Sequence, residues 1–121
     1  MNGVSTHVLD TAHGGPAAGL PVRLDRLAGS APAEVGHGIT DADGRVSWLA
    51  PDELEPGRYR LTFDTEAYFA GRAAGEPAGP NPARWPLYPE VTITFTVTDP
   101  AAHYHLPLLL SPFGYSTYRG S

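Results

Sequence analysis

The sequence predicts an all-β protein, an antiparallel sandwich of seven to eight strands with one short helix. Alternation with period two recurs along the chain, which puts one set of side chains on each face of a strand. The 14 Gly and 13 Pro among 121 residues exclude long helices, since Gly costs about 1 kcal/mol and Pro about 3 kcal/mol in a helix interior. Turn signals separate the alternating runs at the spacing of a sandwich. The length fits one domain, 1–121, with a workable core.

In Val4 to Leu9, the residues Val4, Thr6 and Val8 share one face and Ser5, His7 and Leu9 the other. Val22 to Leu27 is a second strand. Glu34 to Thr40 and Val46 to Leu49 flank Asp41-Ala42-Asp43-Gly44, whose Asp-Gly pair predicts a hairpin. Glu55-Pro56-Gly57 turns the chain into Arg58 to Asp64, with Tyr59, Leu61 and Phe63 inward. Asp64 or Thr65 caps a short helix through Phe69, before Gly71. Residues 71 to 89, rich in Pro and Gly around Trp85, read as a surface loop. In Glu90 to Thr98, the clearest strand, Val91, Ile93, Phe95 and Val97 face the core and threonines face away. Asp99-Pro100 ends it. His103 to Ser111 follows, and Ser116 to Ser121 is the last strand expected.

The composition excludes several function classes. A net charge of -5 supplies no basic face for phosphates, so nucleic acid is not an expected partner. Cysteine is absent, which removes disulfides and thiolate chemistry. No apolar run approaches the ~20 residues of a membrane helix, and Met1-Asn2-Gly3-Val4 does not open a secretory signal, so no membrane is expected and the cytoplasm is the expected compartment.

Candidate chemistry is concentrated in few residues. Histidine titrates near ~6.5 and suits proton transfer at neutral pH. His103 and His105 share one strand face, and with His7 they form a conceivable three-imidazole zinc site, although His-x-His on a strand is more often a polar sheet face. His13 and His37 fall in Gly-rich loops and read as solvated. Arg45 follows the Asp43-Gly44 turn, where its guanidinium can meet a carboxylate or a planar imide. Arg119 and Ser121 follow two tyrosines in a segment where chains usually fray. No Gly-x-Ser-x-Gly elbow supports a serine triad.

Ser5-Thr6-His7-Val8-Leu9-Asp10, Asp43-Gly44-Arg45, Tyr88-Pro89-Glu90-Val91 and the run from His103 to Tyr118-Arg119-Gly120-Ser121 together resemble the 5-hydroxyisourate hydrolases, the transthyretin-related enzymes of urate breakdown. The resemblance extends from Ser5 to Ser121 and departs from the family around Gly71 to Leu87. It implies a transthyretin-like sandwich assembled as a homotetramer, with sites in a channel at the dimer–dimer interface and a small molecule as substrate. The implied catalytic residues are His7, Arg45, His105 and Ser121, and the substrate-binding set adds Tyr118, Arg119 and Gly120. His103 receives no role. In this reading His7 and His105 activate water, Arg45 holds the substrate carbonyls, and Ser121 orients water or a histidine through its hydroxyl or a terminal carboxylate. Which histidine is the base stays open. Neither a metal nor an organic cofactor is required, and the implied product is 2-oxo-4-hydroxy-4-carboxy-5-ureidoimidazoline, on the way to allantoin.

Three alternatives accompany it: a carrier of hydrophobic ligands on the same sandwich, a structural domain pairing through exposed strands, and a zinc hydrolase using His7, His103 and His105. Against the carrier stands the resemblance itself, because transthyretins lack the terminal Tyr-Arg-Gly-Ser and the channel histidines. Site, not fold, is the warrant.

Overall fold

The computed structural model describes residues 3–50, 54–74 and 86–121. Its elements are β1 (Gly3–Asp10), β2 (Gly15–Pro16), β3 (Pro21–Arg26), β4 (Ala33–Ile39), β5 (Arg45–Val46), β6 (Gly57–Phe63), α1 (Thr65–Ala74), β7 (Val91–Val97), β8 (His103–His105), β9 (Leu108–Ser111) and β10 (Gly114–Thr117). One sheet has the order β4-β3-β6-β7, and the other runs β10-β9-β1-β2 with β5 and β8 also paired to β1. The sandwich expected from the alternation is present. Its core lies between the sheets, where Val4, Val8, Leu24, Tyr59, Leu61, Phe63 and Leu108 are buried.

The alternation in β1 and β6 faces as the sequence predicts. Tyr59, Leu61 and Phe63 are fully covered, while Arg58 stays exposed. In β7 the end residues Val91 and Val97 are buried, and Ile93 and Phe95 are half-buried against the core. The Phe95 ring bridges to Tyr59 at 6.1 Å and to Tyr104 at 6.2 Å.

Two pairings depart from an all-antiparallel sandwich. β8 and β9 both run parallel to β1, with Val4 opposite Tyr104 and Leu9 opposite Leu109. The single strand expected over His103–Ser111 is interrupted at Leu106-Pro107, because proline has no N–H for a ladder. β1 holds the interruption closed: Leu106 N–H donates to the Ser5 carbonyl at 3.0 Å, and the Thr6 hydroxyl donates to the Leu106 carbonyl at 2.7 Å.

The expected hairpin does not form, although its turn does. Gly44 N–H donates to the Asp41 carbonyl at 2.9 Å, and Gly44 takes φ +77°, where a side chain would be strained. β4 nevertheless pairs with β3, and β5 with β1, so the turn carries the chain from one sheet to the other. Glycines in β4 explain the geometry. A β-carbon on Gly36 would stand 2.0 Å from the Leu49 carbonyl oxygen, so residues 46–49 cross over the bare face of β4 instead of lying beside it.

The helix is longer than expected, ten residues running past Gly71. Asp64 caps it by accepting from Ala67 N–H at 3.0 Å, while the Thr65 hydroxyl donates to the Tyr88 carbonyl. The expected surface loop over 71–89 is therefore helical at its start, and its middle, including Trp85, lies outside the described residues. His37 sits exposed within β4 and not in a loop. The last strand covers Gly114–Thr117, earlier than the expected Ser116–Ser121, and Gly120 makes an isolated antiparallel bridge to His105 instead.

Candidate active site

Residues opposite one another on paired strands share a face. β1 directs Val4, Thr6 and Val8 into the core, so Ser5 and His7 point to the outer side of the sheet. Parallel pairing places His105 opposite Ser5, and antiparallel pairing places Arg45 opposite His7. His103, two residues before His105, joins the same face while Tyr104 between them is buried. Thus three strands from distant parts of the chain bring three histidines and an arginine to one surface.

There a cleft of about 250 Å³ is lined by Ser5, Thr6, Arg45, Ser47, His103, His105 and Ser121. The His103 and His105 rings lie nearly parallel, at 14°, with centroids 6.4 Å apart. Between them the Ser5 hydroxyl lies 2.8 Å from His103 Nε2 and 2.8 Å from His105 Nδ1. Burial holds the His105 pKa below its ordinary 6.5, and the cationic forms of His103 and His7 and the Arg45 guanidinium push it the same way. His105 is therefore neutral near pH 7, with a lone pair available for a proton.

Arg45 is presented by the turn before it. The Asp41 carboxylate accepts from the Arg45 and Asp43 backbone N–H groups at 3.0 and 2.9 Å, and the Arg45 N–H is the largest influence lowering the Asp41 pKa. Val46, next along, is anchored in the core while Arg45 is exposed. A guanidinium held this way can meet a planar polar ligand with its fork of donors.

The terminal tetrapeptide divides. Ser121 lines the cleft. Gly120 N–H donates to the His105 carbonyl at 2.8 Å, which lays the segment along β8. Arg119 turns back within the subunit, its guanidinium 4.5 Å from the Tyr104 ring centre and 3.3 Å from the His103 carbonyl oxygen. Tyr118 is exposed and does not line this cleft. His7 sits half-buried beside it, close enough to influence His105. Ser5, Thr6 and Ser47 line the cleft and are the residues that sequence reasoning left out of the site.

The three-histidine zinc alternative finds no support in this arrangement. Among the described residues, no group of three or more His, Cys, Asp or Glu side chains stands in position to share a metal ion. Also among them, no helix is long and apolar enough to cross a membrane.

A profile of the HIUase/Transthyretin family matches residues 4–120. A 5-hydroxyisourate hydrolase of Deinococcus radiodurans is 44% identical over 122 residues, covering 98% of this chain and 96% of that protein. Among solved structures, the 5-hydroxyisourate hydrolase of Klebsiella pneumoniae matches with a TM-score of 0.79 at 36% identity, covering 98% of each chain. Transthyretin from Sparus aurata matches with a TM-score of 0.82 at 26% identity, covering 99% of this chain and 97% of that one. Backbone likeness thus fails to separate hydrolase from transthyretin. The residues on the outer face of β1, β5 and β8 have to do so.

Proposed function

The chain belongs to the HIUase/Transthyretin family, and from that premise we propose that it hydrolyses 5-hydroxyisourate to 2-oxo-4-hydroxy-4-carboxy-5-ureidoimidazoline. The observation that carries this reading is the convergence of Arg45, His103, His105 and Ser121 on one cleft, with His7 beside it. A hydrophobic carrier has no need of that polar cluster.

Hydrolysis of an electron-poor ring carbonyl needs an activated water, a polarised carbonyl oxygen and a proton for the departing nitrogen. His7 and His105 orient and deprotonate the water, whose oxygen then bonds to the carbonyl carbon. Arg45 donates to the substrate carbonyls and to the charge that develops on oxygen. The ring C–N bond breaks, and the proton taken from water passes to the nitrogen. Ser121 orients the water or a histidine. Atoms and charge balance without an electron acceptor.

In this reading the whole chain, 1–121, is one hydrolase domain that works in the cytoplasm as a homotetramer. Support for assembly comes from two features of the subunit. β7 and β10 each end a sheet, and unpaired edges template pairing with another chain. Trp48, Phe113, Tyr115 and Tyr118 are large apolar side chains left exposed. Sites at the dimer–dimer interface would bring Tyr118 and Arg119 to substrate from a neighbouring subunit, which a single subunit does not do.

The direct test generates 5-hydroxyisourate in situ from urate with urate oxidase and follows its ultraviolet decay. Added protein is expected to accelerate that decay strongly. Decay at the spontaneous rate with folded protein, its assembly checked by sedimentation velocity, overturns the hydrolase reading.

A further inference from the structure

The mechanism above gives Ser5 nothing to do, yet its hydroxyl is within hydrogen-bond distance of two imidazoles at once. A serine hydroxyl has one proton to donate and lone pairs with which to accept. Both nitrogens could donate to its two lone pairs with the hydroxyl proton directed elsewhere; where that proton stays between the rings, one nitrogen accepts it and the other brings its own, in one of two patterns. If Ser5 donates to His105 Nδ1, neutral His105 carries its proton on Nε2 and has no lone pair left for water. If Ser5 donates to His103 Nε2, His105 Nδ1 donates to Ser5, and Nε2 keeps its lone pair.

Packing restricts the ring further. A β-carbon on Gly120 would lie 2.5 Å from His105 Cδ2 and 3.4 Å from Cγ, so the terminal segment closes on the edge opposite Nδ1. With one edge on Ser5 and the other against Gly120, the ring is held in place. Nε2 is the nitrogen left for chemistry. Near the ring stand His7 from β1, Arg45 from β5 and His103 from β8, and the Arg45 guanidinium disfavours a second proton on His105.

We propose that Ser5 is a positioning residue that donates to His103 Nε2 and accepts from His105 Nδ1, holding His105 as the Nδ1–H tautomer with Nε2 as the base. The hydrogen bond at one imidazole nitrogen sets the protonation of the other. His103 then has a defined part: it is the acceptor that turns the Ser5 proton away from His105. The word base rests on the hydrolase reading, but the tautomer does not.

The test is long-range ¹H–¹⁵N spectroscopy of histidine-labelled full-length protein at about pH 7.5, without substrate. His105 is expected to show a protonated Nδ1 and an unprotonated Nε2. In His103→Ala the Ser5 proton loses its acceptor and turns to His105 Nδ1, so the tautomer should switch to Nε2–H. Ser5→Ala should also lose the Nδ1–H preference, with kcat lowered roughly 10- to 100-fold and KM changed by less than about threefold. Ser5→Thr, which keeps the hydroxyl, should restore both. An Nε2–H tautomer in the unaltered protein overturns the proposal, as does an unchanged His105 tautomer in His103→Ala. Should Ser5→Ala fail to fold, the His103 variant asks the same question from the other end. Because the spectra need no turnover, a failed hydrolysis assay and a failed relay are separate results.

Discussion

The α-carbon of Gly120 lies so near the His105 ring that a β-carbon there would stand 2.5 Å from Cδ2 and 3.2 Å from Pro107 Cγ. Any side chain at 120 must therefore displace the imidazole or the segment that carries it. Gly120→Ala is expected to lower kcat roughly 10- to 100-fold, since a displacement of about 1 Å suffices to misalign a reacting group. Its melting temperature should barely move, because residue 120 contributes one backbone bridge outside the core. Steady-state turnover beside a thermal melt checks both, and wild-type turnover from folded Gly120→Ala removes the steric role.

His105 also predicts a pH dependence with a definite sign. Its folded pKa is lowered, mainly by burial, from 6.5. Between the lowered value and 6.5 the unfolded chain holds more protons at this site than the folded one, so stability falls as pH drops through that window. His105→Gln should flatten this part of the stability curve in urea titrations at several pH values. In kcat/KM profiles the acid limb of the unaltered enzyme should lie below pH 6.5 for the same reason. A limb centred above that value assigns the base to another group.

Much of the sandwich was legible because alternation is local: Tyr59, Leu61 and Phe63 each follow the last by two residues and share the buried face. Partnership between strands is not local. Ser5 and His105 stand 100 residues apart in sequence, and nothing in either segment announces that they run parallel. The Asp43-Gly44 turn was readable and its hairpin was wrong, since Gly36 leaves room for residues 46–49 to cross the sheet. Likewise His7, Arg45 and His105 could be named as candidates from residue type and motif. Ser5 could not, because a serine on a strand becomes informative only once its two partners are in place.

Arg45 separates charge from geometry. It stands opposite His7 on the outer face, exposed at the rim of the cleft. Arg45→Ala should lower kcat/KM by about 100-fold or more, within the range of a lost charge-stabilising donor. Arg45→Lys keeps the charge and loses the planar fork, so partial activity with a raised KM is expected. Equal activity in the lysine variant and the parent shows that a point charge is enough and rejects bidentate recognition.

The clamp between Asp10 and Tyr68 predicts the converse, a change in stability with the chemistry untouched. Asp10 is 2% exposed, and its Oδ1 accepts from Ala12 N–H at 3.1 Å and His13 N–H at 2.8 Å. Oδ2 accepts from the Tyr68 hydroxyl at 2.7 Å, with Arg72 Nε 3.6 Å away. The bond ties α1 to the end of β1, on the face opposite His7. Tyr68→Phe leaves a buried carboxylate oxygen short of a donor, at a cost of about 1–3 kcal/mol. The melting temperature should fall by several degrees while kcat and KM stay near wild type. Burial, then the Asp10 carboxylate, raise the Tyr68 pKa above its ordinary 10.0, so the hydroxyl is favoured in the folded state. This contribution is fully present below pH 10 and is lost as pH rises toward the raised value, since the unfolded tyrosine ionises first. Tyr68→Phe should therefore lose less stability between neutral and strongly alkaline pH than its parent. Parallel losses in the two proteins mean that the hydroxyl is not held by Asp10 in solution.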